Sequence, residues 1–239
     1  MRLGLPILAT GSVAMATASL YYATVAVRSQ WLGRTCWRGR RDRNAVALTF
    51  DDGPSPDTER ILDVLGAREA SATFFMIGRE VESFPDIAQR VLAEGHEVGN
   101  HSYSHPFYLF QRAAETHAQI RHTQNVIAET IGVRPQMVRP PYGVRTPAYF
   151  RVTRALGLQT VQWDVAGFDW KRITPKQIAD HVLRKAQPGS IILLHDGDSA
   201  GRNVRKNTVE ALPMIIRGLR QRDLQIAPLS QLLSDELTT

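Results

Sequence analysis

Two adjacent carboxylates, Asp51 and Asp52, stand in the motif TFDDGP at residues 49–54. The apolar run of residues 45–48 precedes them, so we expect both acids at the carboxyl end of a buried strand, on a tight Gly-Pro turn. Neighbouring buried acids repel each other unless a cation or a hydrogen-bond donor compensates their charge. The pair therefore indicates a site where one acid binds a metal ion and the other remains available as a base.

Two histidines four residues apart, His101 and His105, lie in the motif HSYSH. On one helical turn this spacing would point both imidazoles at a single ion. Taken alone, the motif also fits two unrelated histidines in a surface turn. With the carboxylate of Asp52 the pair would form a His₂-carboxylate site that leaves positions open for water and substrate, which is typical of catalytic zinc.

The elements that must position these side chains alternate between strand and helix after residue 44, with short connections, and this pattern predicts a parallel sheet or barrel. We predict strands at residues 45–50, 72–77, 96–99, 137–139, 158–163, 190–194 and 224–228. We predict helices at residues 56–67 behind Ser55 as N-cap, 85–94, 112–131, 147–156 and 208–222, and one more that starts at the capping box of Thr174 and Gln177. Seven strands with helices between them indicate an α/β fold, a (β/α) barrel one unit short of eight.

Most of the polar residues that could do chemistry follow the carboxyl ends of the predicted strands. In strand order these residues are Asp51 and Asp52, His101 and His105, Arg139, Asp164 and Asp169, and His195 and Asp196. In barrels the loops at the carboxyl ends of the strands line one face, where active sites form. We therefore expect residues that are far apart in sequence to converge at one mouth of the barrel.

The N-terminal stretch from Leu3 to Val27 carries no charged residue. As a helix it would be about 37 Å long, which is enough to cross a hydrocarbon core with some tilt. Arg2 and the small residues 16–18 also permit a cleaved signal peptide, but the apolar run continues over residues 20–27 and favours an uncleaved membrane anchor. We therefore divide the chain into an anchor or signal segment (1–28), a basic linker (29–44) and a catalytic domain (45–239).

The chain of 239 residues has a net charge of +6, and its composition, 43% hydrophobic and 22% charged, is that of an ordinary globular protein. Six of its arginines fall between residues 28 and 43, like a basic patch beside a membrane segment. The positive-inside rule would then place the domain in the cytoplasm, so the membrane topology stays open. No basic stripe with interleaved aromatic residues follows, which argues against a nucleic-acid partner. The single cysteine, Cys36, excludes an intramolecular disulfide and is interpreted as an incidental thiol in the linker.

Five short motifs together resemble a known family. TFDDGP (49–54), HSYSH (101–105), RPPYG (139–143), the Asp169-Trp170 pair and LLHD (193–196) are similar to the five motifs of polysaccharide deacetylases, the NodB homology domains of carbohydrate esterase family four. The resemblance extends from about Val46 to Leu232, which is nearly the whole chain after the linker. The motifs occur in the family's order and with its spacing, so coincidence is a poor explanation.

The resemblance implies a distorted (β/α)₇ barrel, preceded here by the hydrophobic N-terminal helix, and a metal-dependent enzyme that removes N- or O-linked acetyl groups from sugars. It also implies that Asp52, His101 and His105 hold a divalent metal, zinc or alternatively cobalt. The other implied roles are Asp51 as general base, Arg139 as its orienting partner, His195 as general acid tuned by Asp169, the Tyr142 backbone N–H as an oxyanion donor, and Leu193 and Trp170 as walls of the acetyl-methyl pocket.

The sequence departs from the family pattern at Ala166, where many members carry an aspartate three residues before the one that precedes tryptophan. Asp164 lies two residues earlier and is a candidate to substitute for it. We expect Asp196 to cap the loop after the sixth predicted strand rather than to take part in catalysis.

The implied substrate is an N-acetylated polysaccharide, peptidoglycan-like or chitin-like, and we expect a monomer that is membrane-anchored or secreted at the cell envelope. An O-acetyl esterase or a deformylase on a lipid-linked sugar would use the same site and stays open as an alternative. A catalytically inactive carbohydrate-binding barrel is a third hypothesis, and the complete set of site residues argues against it. The aromatic residues Phe107, Tyr108 and Phe110 either form a lip that stacks on sugar rings or pack beneath their loop.

Overall fold

A parallel sheet lies at the centre of the computed structural model, which describes residues 5–199 and 205–234 and, for residues 5–14, the backbone alone. Its strands are β1 (Ala45–Asp51), β2 (Thr73–Met76), β3 (Glu97–Asn100), β4 (Met137–Val138), β5 (Gln159–Thr160), β6 (Val165–Ala166), β7 (Ile191–His195) and β8 (Gln225–Ile226). Their order is β5-β4-β3-β2-β1-β7-β6, and β8 pairs with the start of β1. This parallel half-barrel confirms the predicted class of fold, a distorted (β/α)₇ barrel.

Strand β1 lies between β2 and β7 and is buried along its whole length. Leu48 and Phe50 on this strand belong to the main hydrophobic cluster and are fully buried. The register of the sheet sets Asp51 beside Phe75 on β2 and beside His195 on β7. The strand ends that carry polar residues are therefore aligned at one edge of the sheet.

Helices connect the strands and cover the sheet. The described residues form α1 (Leu5–Val25), α2 (Pro56–Gly66), α3 (Gly78–Ser83), α4 (Pro85–Ala93), α5 (Ala113–Ile131), α6 (Pro147–Ala155), α7 (Pro175–Lys185), α8 (Lys206–Arg220) and α9 (Leu229–Leu232). The predicted caps are confirmed: the Ser55 side chain accepts a hydrogen bond from the Asp57 N–H, and Thr174 and Gln177 form a capping box at α7. The apolar faces of α2, α7 and α8 join the same hydrophobic cluster as β1.

The sheet contains one strand, β6, that the sequence pattern did not predict. The predicted strand 158–163 is wrong in its extent, because regular pairing with β4 ends at Thr160 and β6 pairs with β7 instead. The next residue, Val161, forms a parallel bridge with Cys36, and the Gln162 N–H donates to the Cys36 carbonyl at 2.7 Å. The predicted strand thus pairs with β4 in its first half and with the segment around Cys36 in its second half, which a local pattern does not reveal.

Residues inside the predicted basic linker contact the barrel. The Cys36 N–H donates to the Thr160 carbonyl at 2.9 Å, and the Gly39 N–H donates to the Gly189 carbonyl at 2.8 Å. The Cys36 side chain is buried in a hydrophobic cluster. Cys36, interpreted as an incidental thiol in the linker, is therefore part of the packed structure.

Among the side chains of helix α1 that the structure describes, those of residues 15–25, only the last turn is buried. Residues 15–22 are mostly exposed, whereas Ala23 and Thr24 are buried. Arg145, which is fully buried, donates from its backbone N–H to the Thr24 carbonyl at 3.0 Å and from Nη2 to the Ala26 carbonyl at 2.7 Å. The carbonyl groups at the end of a helix lack partners within the helix, and a cation there also interacts favourably with the helix dipole.

Within residues 5–199 and 205–234, no helix combines the length and the apolar character that crossing a membrane requires. The anchor or signal segment at residues 1–28 stays a prediction from the sequence. Arg2, which entered that prediction, lies outside the described residues.

Candidate active site

A cleft of about 890 Å³ opens at the carboxyl ends of the strands. Nine of the ten predicted site residues line it: Asp51, Asp52, His101, His105, Tyr142, Asp169, Trp170, Leu193 and His195. The tenth, Arg139, is fully buried behind Asp51. The expected convergence of separate loops at one mouth is therefore confirmed for these residues.

Asp52, His101 and His105 approach one another closely enough to share a metal ion. One ligand atom from each lies within 4.8 Å of the other two. Asp52 Oδ1 is 3.5 Å from His101 Nε2 and 3.2 Å from His105 Nε2. The three side chains come from the loops after β1 and β3, so a shared ion would join two loops.

The two histidines do not lie on a helical turn, so that part of the prediction is wrong. The loop after β3 instead places Ser102 and His105 in the left-handed region, with φ of 67° and 58°. Hydrogen bonds hold this shape: Asn100 Oδ1 accepts from the Ser102 N–H at 2.9 Å, and Ser102 Oγ accepts from the His105 N–H at 3.1 Å. Left-handed backbone is uncommon outside glycine and is often retained at functional sites. Here it brings the two imidazole centroids to 5.1 Å.

The donor atoms of this group suit a divalent cation. His101 Nδ1 lies 2.8 Å from the Arg139 carbonyl, so Nδ1 carries the proton and Nε2 presents its lone pair toward Asp52. Asp52 Oδ1 is buried without a hydrogen-bond partner. Burial, the largest cause, lowers the pKa of His105 to about 4, which leaves that imidazole neutral and able to ligate. One carboxylate and two neutral imidazoles are a common ligand set for zinc and related metals.

Asp51 is fixed by a buried ion pair. Arg139 Nη1 donates to Asp51 Oδ1 at 2.7 Å and to Thr49 Oγ1 at 2.8 Å. The same guanidinium donates from Nη2 to the Gln162 carbonyl at 3.1 Å and lies 4.1 Å from the ring centroid of Phe75. The second oxygen, Asp51 Oδ2, is 3.7 Å from His101 Nε2. Asp51 thus has one oxygen held by Arg139 and the other directed toward the metal-binding group.

His195 forms a second polar pair, with Asp169. His195 Nδ1 lies 2.8 Å from Asp169 Oδ1, while Asp169 Oδ2 accepts from the His195 N–H and from Thr208 Oγ1, each at 2.8 Å. Burial is the largest effect and lowers the pKa of His195, but the Asp169 carboxylate together with Asp52 and Asp51 raises it, and the net pKa is about 9. His195 is therefore an imidazolium at neutral pH.

The sequence analysis missed two residues that support Asp169, namely Arg205 and Thr208 near the start of α8. Arg205 is largely buried, and its Nη1 donates to the Asp169 carbonyl at 3.3 Å. The Arg205 N–H also donates to Asp57 Oδ2 at 2.7 Å. Nothing local in the sequence distinguishes this arginine from the many others, because its role depends on how α8 packs against the end of the sheet.

Asp164 does not belong to the site, contrary to the expectation that it follows a strand at the mouth. It precedes β6 and accepts hydrogen bonds from the Ile191 N–H at 2.8 Å and from Ser190 Oγ at 3.0 Å, at the start of β7. Asp164 also pairs with Arg38, whose Nε is 3.5 Å away. These contacts lie at the amino ends of the strands, so Asp164 does not replace the aspartate missing at Ala166.

Asp196 has the structural role that we expected. Its Oδ1 accepts from the Gly53 N–H at 3.0 Å, and its Oδ2 accepts from Thr58 Oγ1 at 2.6 Å. The carboxyl group thereby joins the loop after β7 to the loop after β1. A side chain at Gly53 would collide with it, since an added Cβ would lie 2.0 Å from Asp196 Oδ2.

Three further predicted residues surround the polar groups. Tyr142 has a left-handed φ of 57°, and its ring centroid is 4.5 Å from that of His105. The Trp170 ring is partly exposed and lies 5.3 Å from the His195 ring, while Leu193 is buried and lines the cleft. The cleft thus combines two aromatic walls and an aliphatic surface with its polar centre.

A half-barrel that gathers at one rim an Asp-His-His group that could hold a metal ion and two separately held polar pairs has an architecture suited to a metallohydrolase. Residues 38–161 match the family model described as polysaccharide deacetylase. The chain belongs to the polysaccharide deacetylase family, as its five motifs predicted.

Known relatives and solved structures agree with this family. The chain is 39% identical over 197 residues to a chitooligosaccharide deacetylase of Bradyrhizobium sp. (strain ANU 289), and the aligned region covers 79% of this chain and 90% of the relative. It is 38% identical over 192 residues to the peptidoglycan-N-acetylmuramic acid deacetylase PdaC of Bacillus subtilis, covering 80% of this chain but only 39% of PdaC. The crystal structure of the Bc1960 peptidoglycan N-acetylglucosamine deacetylase superposes with a TM-score of 0.79 at 35% identity, covering 83% of this chain and 92% of that one.

Proposed function

We propose that this protein hydrolyses N-acetyl groups on the sugars of a carbohydrate polymer or oligomer, peptidoglycan-like or chitin-like. The observation that carries the proposal is the presence in one cleft of the Asp52, His101 and His105 group together with Asp51 and His195. The relatives named as chitooligosaccharide and peptidoglycan deacetylases support the substrate class.

Asp52, His101 and His105 would hold the divalent metal, which we propose to be zinc, with cobalt as the alternative. A cation held there supplies Lewis acidity to the attacking water and to the acetyl carbonyl. The unpartnered Asp52 Oδ1 and the lone pair of His101 Nε2 supply negative charge and an electron pair at the same point.

Asp51 acts as the general base in this proposal. Its Oδ2 takes the proton of the attacking water, while Arg139 holds Oδ1 at 2.7 Å and so fixes the direction of the carboxylate. A positioned base typically contributes about 10²- to 10⁴-fold to the rate. The buried guanidinium therefore acts as a positioning group for Asp51.

His195 acts as the general acid for the departing amine. Its Nδ1–H is engaged by Asp169, so the proton that the substrate receives is the one on Nε2. An amine departs poorly unless it is protonated, whereas an alcohol needs this help much less. The raised pKa of His195, about 9, therefore favours hydrolysis of an amide over that of an O-acetyl ester.

The remaining predicted residues would shape the acyl end of the cleft. We propose that the Tyr142 N–H donates to the carbonyl oxygen as negative charge develops there, which is where a fixed donor stabilises the transition state most. Leu193 and Trp170 would enclose the acetyl methyl group, because both line the cleft close to His195. A larger acyl group would then be rejected by lack of space.

To test the proposed function, the purified full chain is stripped with a chelator, reloaded with zinc or cobalt, and given N-acetylglucosamine oligomers, peptidoglycan fragments and acetyl xylan. We expect acetate release that depends on the added metal and is faster from the N-acetylated glycans. The Asp51→Asn variant should lose turnover yet still bind metal, whereas Asp180→Asn, on the exposed face of α7, should behave like the wild type. Absence of acetate from every glycan, with metal demonstrably bound, would refute the proposal.

We further propose a location at the cell envelope, because the similar peptidoglycan deacetylases are named for a cell-wall substrate. The anchor or cleaved signal at residues 1–28 is a prediction from the uncharged stretch Leu3–Val27. The monomeric state is also a prediction. Fractionation of cells followed by N-terminal sequencing of the mature protein tests the first, and light scattering tests the second.

A further inference from the structure

The loop that follows His105 carries exposed aromatic side chains beside the cleft. Phe107 and Phe110 have 36% and 81% of their surface exposed, and Tyr142, from the loop after β4, has 57% exposed. Single exposed apolar residues are common on soluble proteins, but a contiguous exposed patch often marks a binding site.

These three rings, which we call the aromatic row, continue from a proposed metal ligand. The ring centroids are 4.5 Å apart for His105 and Tyr142, 5.6 Å for Tyr142 and Phe107, and 5.4 Å for Phe107 and Phe110. His105 and Tyr142 also line the cleft, whereas Phe107 and Phe110 lie beyond its lining. The aromatic row therefore leads from the reaction centre out onto the surface.

The fold holds the aromatic row in place. Residues Tyr108–Phe110 form one turn of 3₁₀ helix, and the Phe110 N–H donates to the Phe107 carbonyl at 3.0 Å. Tyr108 points inward, is fully buried, and has its ring 5.5 Å from that of Tyr149. Of the two interpretations of this segment, packing beneath the loop therefore holds for Tyr108, whereas Phe107 and Phe110 remain exposed and available to a sugar ring. A surface that is already ordered loses little conformational entropy when a ligand binds.

The geometry points to a glycan subsite at the aromatic row, which binds a sugar unit next to the one that loses its acetyl group. This inference rests on the proposed function. One face of a pyranose ring presents C–H groups, and packing that face on an aromatic ring removes apolar surface from water. A polymer with one unit in the cleft must continue over the adjoining surface, and the aromatic row is the apolar surface that adjoins Tyr142. The enzyme should therefore prefer longer oligomers to a disaccharide.

The first test measures binding without catalysis, using zinc-loaded protein that carries Asp51→Asn. Dissociation constants are measured by calorimetry for penta-N-acetylchitopentaose and for di-N-acetylchitobiose. Adding Phe107→Ala or Phe110→Ala should weaken binding of the pentamer roughly 3- to 10-fold, the usual range for one aromatic stacking contact, and leave the dimer nearly unchanged. Phe110→Trp, which keeps a flat ring, should bind the pentamer as tightly as the parent.

Two matched controls separate stacking from general apolar exposure. Leu109→Ala removes an exposed aliphatic side chain from the same turn, and Val133→Ala removes one at the end of α5. Neither should change the affinity for the pentamer. Because all four positions are exposed, melting temperatures close to that of the parent should show that the variants fold.

Three results would overturn the subsite: a pentamer affinity that the phenylalanine variants do not change, equal weakening for pentamer and dimer, or no binding of the pentamer by the parent. A second assay measures kcat/KM for acetate release in the same variants with Asp51 intact, and a decrease confined to the pentamer is expected. Selective loss of pentamer binding without any acetate release from the wild type would support the subsite and refute the proposed function. The two proposals therefore fail in different ways.

Discussion

Two opposing effects act on the pKa of a single residue, His195. Burial lowers this pKa, but the Asp169 carboxylate, 2.8 Å from Nδ1, together with Asp52 and Asp51 outweighs burial and brings the pKa to about 9. Because the protonated form of His195 is the proposed catalytic acid, kcat should stay constant through neutral pH and decrease as the pH rises through about 9. The unfolding free energy should change with pH in the same direction. Protonation of His195 stabilises the folded state fully below the usual histidine pKa of about 6.5, and this stabilisation is lost as the pH rises through the folded-state pKa of about 9.

Replacing Asp169 should shift the alkaline side of this profile. In Asp169→Asn the negative charge is gone, burial becomes the dominant effect on His195, and its pKa should fall by about one unit or more. We expect a lower kcat and an alkaline limb displaced to lower pH, measured as kcat from acid to alkaline conditions. Thr208→Val, which removes only a hydrogen bond to Asp169, should leave the limb close to its original position. An unshifted limb in Asp169→Asn would contradict the assignment of His195 as the acid.

The buried pair of Arg139 and Asp51 should also matter for stability. Arg139→Ala leaves Asp51 buried without its cation, a change that typically costs about 3–5 kcal/mol of unfolding free energy. Urea denaturation in the presence of a chelator measures this loss without a contribution from bound metal. Lys176→Ala, which breaks an exposed i,i+4 pair with Asp180, should cost only about 0.3–0.5 kcal/mol. A similar small loss for both variants would show that the buried pair contributes little.

At the scale of elements, the end of α1 is coupled to the loop that carries Tyr142. Arg145 Nη1 donates to the Gly143 carbonyl at 2.7 Å, while Nη2 donates to the Ala26 carbonyl at the same distance. One buried guanidinium thus holds the loop after β4 against the chain that leaves α1. The exposed part of the helix, residues 15–22, takes no part in this contact.

Deletions should separate the two parts of the N-terminal segment. Removing residues 1–19 should change the unfolding free energy little, because the described part of that stretch is mostly exposed. Removing residues 1–29 takes away the Ala26 and Ser29 carbonyl partners of the Arg145 guanidinium but not Gly143, and should cost about 1.5–3 kcal/mol for each charged hydrogen bond left unmade. Denaturation measures both, and KM should rise in the longer deletion as the Tyr142 loop loosens. Equal stability of the two proteins would refute the coupling.

The residues of the site were predictable because each motif is local. Asp51 and Asp52 follow an apolar run whose composition predicts that it is buried. The spacing of His101 and His105 can be read directly from the sequence. The path of the chain around and between the motifs was harder to predict from the sequence. The left-handed φ angles of Ser102 and His105 replaced the expected helical turn, and they depend on hydrogen bonds such as that of Asn100.

Long-range pairing accounts for the other differences. Val161 pairs with Cys36, so the predicted fifth strand is divided and β6 appears between Asp164 and Asp169. That single insertion sends Asp164 to the amino ends of the strands and leaves Asp169 at the mouth. The contact of Thr208 with Asp169 likewise depends on the docking of α8, which no local pattern encodes.

For the molecule as a whole, the metal group joins the loop after β1 to the loop after β3, so metal binding should stabilise the fold. A ligand at a hundred times its dissociation constant adds about 2.7 kcal/mol to the unfolding free energy. We expect the melting temperature to fall on chelation and to recover when zinc is added back. His105→Gln should remove this response, whereas His181→Gln, on the exposed face of α7, should retain it. A zinc response that survives in His105→Gln would contradict the proposed ligand set.

The pairing of β1 has a consequence for how the protein is made. One flank of β1 stays unpaired until β7 is made, and the start of the other flank, which β2 covers only in part, waits for β8, whose last residue is Ile226. A ribosome releases these partners only near the end of translation, and the bridge between Cys36 and Val161 is delayed in the same way. An unfinished chain therefore exposes a mostly apolar strand for most of its synthesis, which is the condition under which nascent proteins depend on chaperones.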